Sequence, residues 1–404
     1  MEKKCSPIVL SIMVCFLFLL SASSTLAENI KIGVLLPLTG RLYELGADTS
    51  YKSFIMAVRE INEQGGIRGK KIELIVEDTY GDRDIGISSM EKLITQDNVL
   101  LVTGGFSSTV TWAASQVAEE HQVPFLVSTA SADRITEAGR SYVFRINTPA
   151  SEQSRAFDTF LRDVARIRSA AILYERSFFG RFWSKKVKRQ CERLGLDITL
   201  VKAFSLDSGD FRVLLSIVKA VDPDLLYIIA RVVEARLIMQ QAREVSLNPR
   251  LFVGHPVGFA IPEFGEMAQG ASDFVYSPVI WSPALPYPGA KEYYAEFTEY
   301  YGSAPDYHGA QAYSAMQVIR DVLERSETLE PEEVRKALLE TDLVTVLGPV
   351  RFRSYGKKSQ QNRLPTYLMQ WIDSELRPVW PPETALDRYV YPTPKWEERS
   401  QRIF

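Results

Sequence analysis

Residues 104–131 read GGFSSTVTWAASQVAEEHQVPFLVSTAS. The stretch is preceded by the apolar run VLLVT at 99–103, which has the length and composition of a strand covered on both faces. Ser107, Ser108 and Thr109 then stand where a helix begins, a place where backbone N–H groups have no partner within the helix. The next apolar run, VPFLV at 123–127, also ends in hydroxyls, at Ser128, Thr129 and Ser131. Two neighbouring strands therefore deliver small polar groups and a helix N-terminus to one sheet edge. That combination suits a carboxylate or another small anionic group. Read one at a time, the same turns are more simply ordinary helix caps; the pair carries the stronger signal.

Outward from this unit, strand-like runs alternate with helical patterns. Before it come a strand at 30–36, a helix at 49–62 closed by Gly65 and Gly66, a strand at 71–77 and a helix at 85–94. After a short strand at 142–145 the pattern breaks at Thr148-Pro149 and restarts: helix 154–164, strand 170–174, helix 182–194, strand 198–203, helix 211–221, strand 225–230, helix 234–245, strand 251–253. Such alternation predicts parallel sheets covered by helices. Two successive runs predict two similar α/β lobes, with an eight-fold barrel as the structural alternative. Residues 277–288 hold four prolines and read as a semi-rigid loop. Helices are expected at 290–301, 308–323 and 331–340, antiparallel strands at 348–353 and 366–372, and an irregular surface tail from 380 to 404.

The ends and totals narrow the class. Lys3 and Lys4, the apolar core 8–20 and the small residues up to Ala27 form a cleavable export signal over 1–27, which places the mature chain in the periplasm. That core falls short of the ~20 residues that span a bilayer. Of Cys5, Cys15 and Cys191 only the last survives cleavage, so no internal disulfide is expected and Cys191 reads as an unreactive, partly buried thiol. A net charge of −3 argues against nucleic acid as a partner. At 404 residues, two domains are expected.

Enzymatic readings find little support. His121, His255 and His308 are far apart and lack metal-ligand spacing. Phosphate-binding and dinucleotide-binding glycine motifs and a nucleophile elbow are all missing. No cofactor is expected. The basic residues Arg181, Lys185, Lys186, Lys188 and Arg189 read as a solvated helix face, with a protein-docking surface as the alternative. Phe178 and Phe179 precede that helix on the strand's C-terminal side, where ligands gather in α/β sheets.

The chain resembles the leucine/isoleucine/valine-binding protein group, type I periplasmic solute-binding proteins that feed ABC transporters. The resemblance rests on IGVLLPLTG at 32–40, INEQGGIRG at 61–69, the turns at 102–108 and 125–131, YERSFFG at 174–180, Asp210-Phe211, Asp222-Pro223-Asp224 and the Gly348-Pro349 to Phe352 segment. No one motif is decisive; their order and spacing over 28–380 are. The resemblance implies two doubly wound parallel-sheet lobes joined by a three-crossover hinge. One lobe would hold 28–147 and 277–347, the other 148–276 and 348–380, with 381–404 as tail. It also implies ligand capture in the cleft, hinge closure, a membrane permease and an ATPase as partners, and a monomer.

Family members hold a carboxylate at positions matched here by Ser108 and Ser131, with backbone groups of Thr129 and Ala130 nearby, and Phe179 matches their second-lobe aromatic ring. Three positions depart. The ammonium-binding acid falls at Pro256, the second-lobe tyrosine at Ala230-Arg231 and the first-turn tyrosine at Leu45. Burying an ammonium without a carboxylate costs several kcal/mol. The departures therefore argue for a carboxylate ligand with an apolar or aromatic body and no α-ammonium, alongside branched-chain and other amino acids. Arg231 is expected either to face a second anionic group or to form a surface salt bridge. The alternatives to transport are a sensory protein presenting its closed form to a membrane receptor and a secreted α/β enzyme.

Overall fold

The computed structural model describes residues 29–40, 42–205 and 208–399; the expected leader at 1–27 and the last residues of the tail, 400–404, lie outside that range. The strands are β1 Ile30–Leu36, β2 Ile72–Asp78, β3 Leu101–Gly104, β4 Phe125–Val127, β5 Val143–Arg145, β6 Ser169–Glu175, β7 Asp197–Phe204, β8 Leu225–Ile229, β9 Leu251–Gly254, β10 Tyr276–Val279, β11 Leu343–Thr345, β12 Gly348–Val350, β13 Arg353–Tyr355, β14 Lys358–Gln361, β15 Tyr367–Ile372 and β16 Glu375–Trp380. They form two seven-stranded sheets, ordered β13-β14-β5-β4-β3-β1-β2 and β16-β15-β10-β9-β8-β6-β7, plus the two-stranded β11-β12. Two open sheets replace the barrel alternative. The longer helices are α1 Asp48–Glu63, α2 Arg83–Thr95, α3 Ser108–Glu120, α4 Phe178–Arg193, α5 Arg212–Val221, α6 Val232–Glu244, α7 Ala290–Tyr301, α8 Tyr307–Arg325 and α9 Pro331–Leu339.

The central strands are parallel, as in β1 with β2 and β3, and β6 with β7 and β8. The innermost strands are mostly apolar because helices cover both faces: every residue of β3 and β8 is buried. In each sheet the strand order reverses direction beside the lobe's first strand, at β1/β3 and at β6/β8. Loops leaving such a switch point diverge to opposite faces and open a crevice at the strands' C-terminal ends.

The chain passes between the sheets three times, after β5, after β10 and after β14. Two lobe boundaries differ from expectation. The hairpin β13–β14 pairs with β5 through Gln361 and Arg145, so residues 348–361 join the first lobe. Residues Tyr276–Val279 pair with β9 and β15 and stay with the second. A buried polar knot holds the first of these pairings, since Arg145 donates to Gln361 Oε1 at 2.6 Å and Gln361 donates to the Asn147 carbonyl at 2.8 Å.

The tail is also more than a surface wrap. Trp396 is buried in the second-lobe core and donates from Nε1 to the Leu247 carbonyl at 2.7 Å. Tyr391 donates to the Ala165 carbonyl at 2.6 Å, and Val390 N–H to Gln370 at 2.8 Å. Three aromatic and aliphatic anchors within seven residues explain why a proline-rich segment is held in place.

Candidate functional site

Most segments that meet at the inter-lobe cleft leave the C-terminal end of a strand; residues 303–308, between α7 and the start of α8, are an exception. From the first lobe come the turn at 42–49 after β1, Phe106–Ser108 after β3 and Thr129–Ser131 after β4. From the second come Phe179 and Trp183 after β6, Arg231 after β8 and His255-Pro256 after β9. Leu45 packs in the same apolar cluster as Phe179, with Leu42 and Phe106 against it, so the lobes touch.

The two hydroxyl turns are laced together by backbone. Ser128 N–H donates to the Gly104 carbonyl, and Ala130 N–H to the Gly105 carbonyl, each at 2.8 Å. Gly104 is required here. Its φ is +93°, and a Cβ would stand 2.6 Å from the Leu35 carbonyl oxygen. Ser107 takes the N-cap position of α3 but its side chain makes no capping bond. By contrast Asp82, Ser177 and Asp306 cap their helices with their own oxygens. The helix-cap reading therefore fails for Ser107, whose side chain caps no N–H of α3. Ser108 Oγ accepts from Ala132 N–H at 3.2 Å and so joins the turns from the other side.

Ser107, Ser108, Thr129 and Ser131 line one cavity of about 240 Å³, together with Asn147, Phe106 and His308 of the first lobe and Phe182, Trp183 and Lys186 of the second. No Asp or Glu is among its lining residues. Asn147 is buried, and its amide donates to the Thr129 carbonyl while its Oδ1 has no partner. Ala130 is not on the wall. It is buried beneath the turn, its N–H bound to Gly105 and its carbonyl accepting from Arg145 at 3.3 Å.

Phe179 and Arg231 line a neighbouring cleft cavity of about 350 Å³, with Tyr43, Asp48, Pro256 and Asp306. The structure thus divides the six expected residues: three hydroxyl residues in one compartment, two second-lobe residues in the next, and Ala130 behind. Arg231 is half-exposed. It lies over the Phe179 ring at 4.8 Å, and its Nε is 3.7 Å from Oε2 of the buried Glu175. The salt-bridge expectation describes it better than a free anion receptor. Pro256 does stand on the cleft wall, with no acid in its place.

A third cavity, about 290 Å³, opens on the hinge side. Trp183, Lys186, Tyr227, His255, Pro278, Trp281 and Tyr307 line it. It shares Gln153, Trp183, Lys186 and Tyr307 with the hydroxyl compartment. His255 is buried under Trp183 and Phe179, with ring centroids 4.6 and 5.3 Å away. Burial first, then the nearby Arg231 and Lys186 cations, hold its pKa down to about 3, so the ring is neutral. Lys186 lies over Trp183 at 4.8 Å and Phe182 at 5.1 Å, and desolvation alone lowers its pKa from the usual lysine value.

Sequence reasoning missed Trp183, Lys186, His255, Asn147 and Tyr307. Helical spacing of Phe182, Trp183 and Lys186, at i, i+1 and i+4, was the available signal for the first two. It was obscured by the five other basic residues on the same helix. His255 and His308, 53 positions apart in sequence, meet the same cleft from opposite lobes. Among the described residues no group of His, Cys, Asp and Glu has metal-binding geometry.

Comparison with known proteins agrees with this architecture. The family model for periplasmic binding protein matches residues 29–375. Leu/Ile/Val-binding protein homolog 7 of Brucella suis is 28% identical over 395 residues, covering 93% of this chain and 97% of the relative. Among solved structures, the branched-chain amino acid transporter substrate binding protein of Streptococcus pneumoniae, in complex with isoleucine, superposes with a TM-score of 0.61 at 24% identity, over 90% of this chain and 100% of that one. A solute binding protein of an R. palustris ABC transporter, in complex with benzoate, gives a TM-score of 0.61 at 17% identity, over 87% and 95%. At these identities the structures share the fold. The matched region takes in both sheets except the edge strand β16, and all three crossings between them: the chain belongs to the periplasmic binding protein family.

Proposed function

We propose that the protein is an extracytoplasmic solute-binding protein that captures a small carboxylate-bearing ligand with an apolar or aromatic body in the inter-lobe cleft and delivers it to an ABC transporter. The observation that carries this reading is the hydroxyl compartment. Four Ser and Thr hydroxyls and the uncapped N-terminus of α3 converge on a cavity whose wall contains no carboxylate. An acid group there accepts hydrogen bonds from Ser108, Thr129 and Ser131 and benefits from the positive end of the helix. Closure of the second lobe excludes water and strengthens those bonds.

The cleft chemistry favours an acid without an α-ammonium. Pro256 stands where the resembled group carries its ammonium-binding acid. The acids that do reach the cleft are engaged: Asp306 accepts from Thr49 at 2.6 Å and lies 2.9 Å from His308, and Asp48 accepts from Tyr43 at 2.6 Å and pairs with Lys52 at 2.9 Å. The aromatic walls match the benzoate held by the R. palustris relative better than the isoleucine held by the S. pneumoniae one. The partners of this function are a permease and its ATPase. Transfer needs no covalent step, and selectivity comes from which buried polar groups a ligand leaves unpaired.

Isothermal titration of the purified protein with benzoate, phenyl-substituted acids and leucine tests the reading. Saturable one-to-one binding of an aryl acid is expected, with leucine much weaker. Leucine binding without any acid binding, or no binding of either class, overturns it.

A further inference from the structure

Of the basic residues on α4, Lys186 is the one that lines the hydroxyl compartment. Lys188 pairs with Glu192 at 3.7 Å and Arg193 with Asp158 at 2.7 Å. Lys186 has no carboxylate partner among the described residues, and neither compartment it lines contains an Asp or Glu. It is nonetheless held in position, its ammonium lying over two indole and phenyl faces. Residues 182, 183 and 186 share one helix face, and that face looks across the cleft at Ser108, Thr129 and Ser131.

A cation exposed at the cleft wall, positioned by aromatic rings, without a carboxylate partner among the described residues and facing hydroxyl donors is an anion receptor awaiting its charge. His255 adds a second sign of polar demand on the hinge side. It is 3% exposed, lines the cavity next to Lys186 and leaves Nδ1 without a partner. The walls around it, Trp183, Tyr227, Trp281 and Tyr307, are large and mainly apolar.

We infer that Lys186 is the cross-cleft counter-charge of the site: it binds the ligand carboxylate from the second lobe while the hydroxyl turns bind it from the first, and it thereby selects monoanionic acids over zwitterionic amino acids. The inference rests on the reading of the cleft as a carboxylate site. It adds the residue that sets the ligand's net charge. A zwitterion brings an ammonium into a compartment that offers it a lysine and no acid, so the same side chain attracts one class and repels the other. Because the anion touches both lobes, Lys186 also favours the closed form only when an acid is present.

The test compares parent protein, Lys186→Met and Lys186→Arg by isothermal titration with benzoate and with leucine, at two salt concentrations. Lys186→Met is expected to weaken benzoate binding roughly ten- to hundredfold and to flatten its salt dependence, with no loss of leucine affinity. Lys186→Arg is expected to retain most of the affinity. Thermal melts of the unliganded variants should match the parent. Benzoate binding in Lys186→Met within twofold of the parent overturns the inference while leaving the carboxylate reading intact. Equal losses in the Met and Arg variants assign Lys186 a packing role and also overturn it. A parent protein that binds no acid refutes the carboxylate reading itself.

Discussion

Replacing Ser131 and Ser108 by alanine separates ligand binding from fold maintenance. Ser131 Oγ has no protein partner among the described residues, whereas Ser108 Oγ accepts from Ala132 N–H at 3.2 Å. A hydroxyl bound to a charged group contributes roughly 1.5–3 kcal/mol, which is about ten- to 150-fold in Kd. Ser131→Ala should therefore weaken aryl-acid binding by that amount and leave stability within about 0.5 kcal/mol of the parent. Ser108→Ala should show a similar affinity loss and, in addition, lose ~1 kcal/mol of stability, because a turn N–H is left without its acceptor. The double variant should lose less affinity than the sum of the two, since both hydroxyls serve one carboxylate. Isothermal titration gives the affinities and urea denaturation the stabilities. Unchanged affinity in both single variants would refute the anchoring role, whatever their stabilities.

Other outcomes follow from the packing and ionisation around the site. Trp396→Ala should cost ~3–5 kcal/mol in urea denaturation, because the indole fills second-lobe core and donates to Leu247; a cost below ~1 kcal/mol would return the tail to the surface. His255 stays neutral in the folded protein down to a pKa of about 3, while the unfolded chain protonates near 6.5. The unfolded state thus binds the extra proton in that window, so His255 lowers stability as pH falls from about 6.5 toward 3. His255→Gln should flatten the fall in urea midpoint between pH 7 and pH 5, and an unchanged slope would count against the buried neutral ring. Cys191 is fully buried, and burial pushes its thiol up to about 12. It should react with a thiol reagent only on unfolding, and fast labelling of native protein would contradict that placement.

Much of the architecture was legible because its signals are local. The alternation of apolar runs and helical spacing is written residue by residue, and it reported two covered parallel sheets. The hydroxyl turns were legible for the same reason, since each follows a strand directly. What the pattern could not report was pairing between distant segments. Residues 348–361 look like any antiparallel hairpin, and only the contact of Gln361 with Arg145 assigns them to the first lobe. The tail's prolines argued for irregular structure, and the structure is irregular up to a short helix at Trp396–Arg399, whose Trp396 finds a core position that no periodicity marks. Lys186 lies among basic neighbours, and sequence position alone does not say which of them turns to the cleft.

By itself, then, the chain's order of residues determined the strands, the helices, their parallel sense and the small polar groups at the strand ends. Those are consequences of backbone hydrogen bonding and of burial on one or both faces, which act over a few residues at a time. Tertiary structure alone decided which groups share a compartment: Ser108, Thr129 and Ser131 opposite Lys186, Phe179 and Arg231 next door beside Glu175, and Ala130 behind the wall. A cleft between lobes is built from loops far apart in sequence. Its charge balance is set by distances across space, which the pattern of any one segment does not contain.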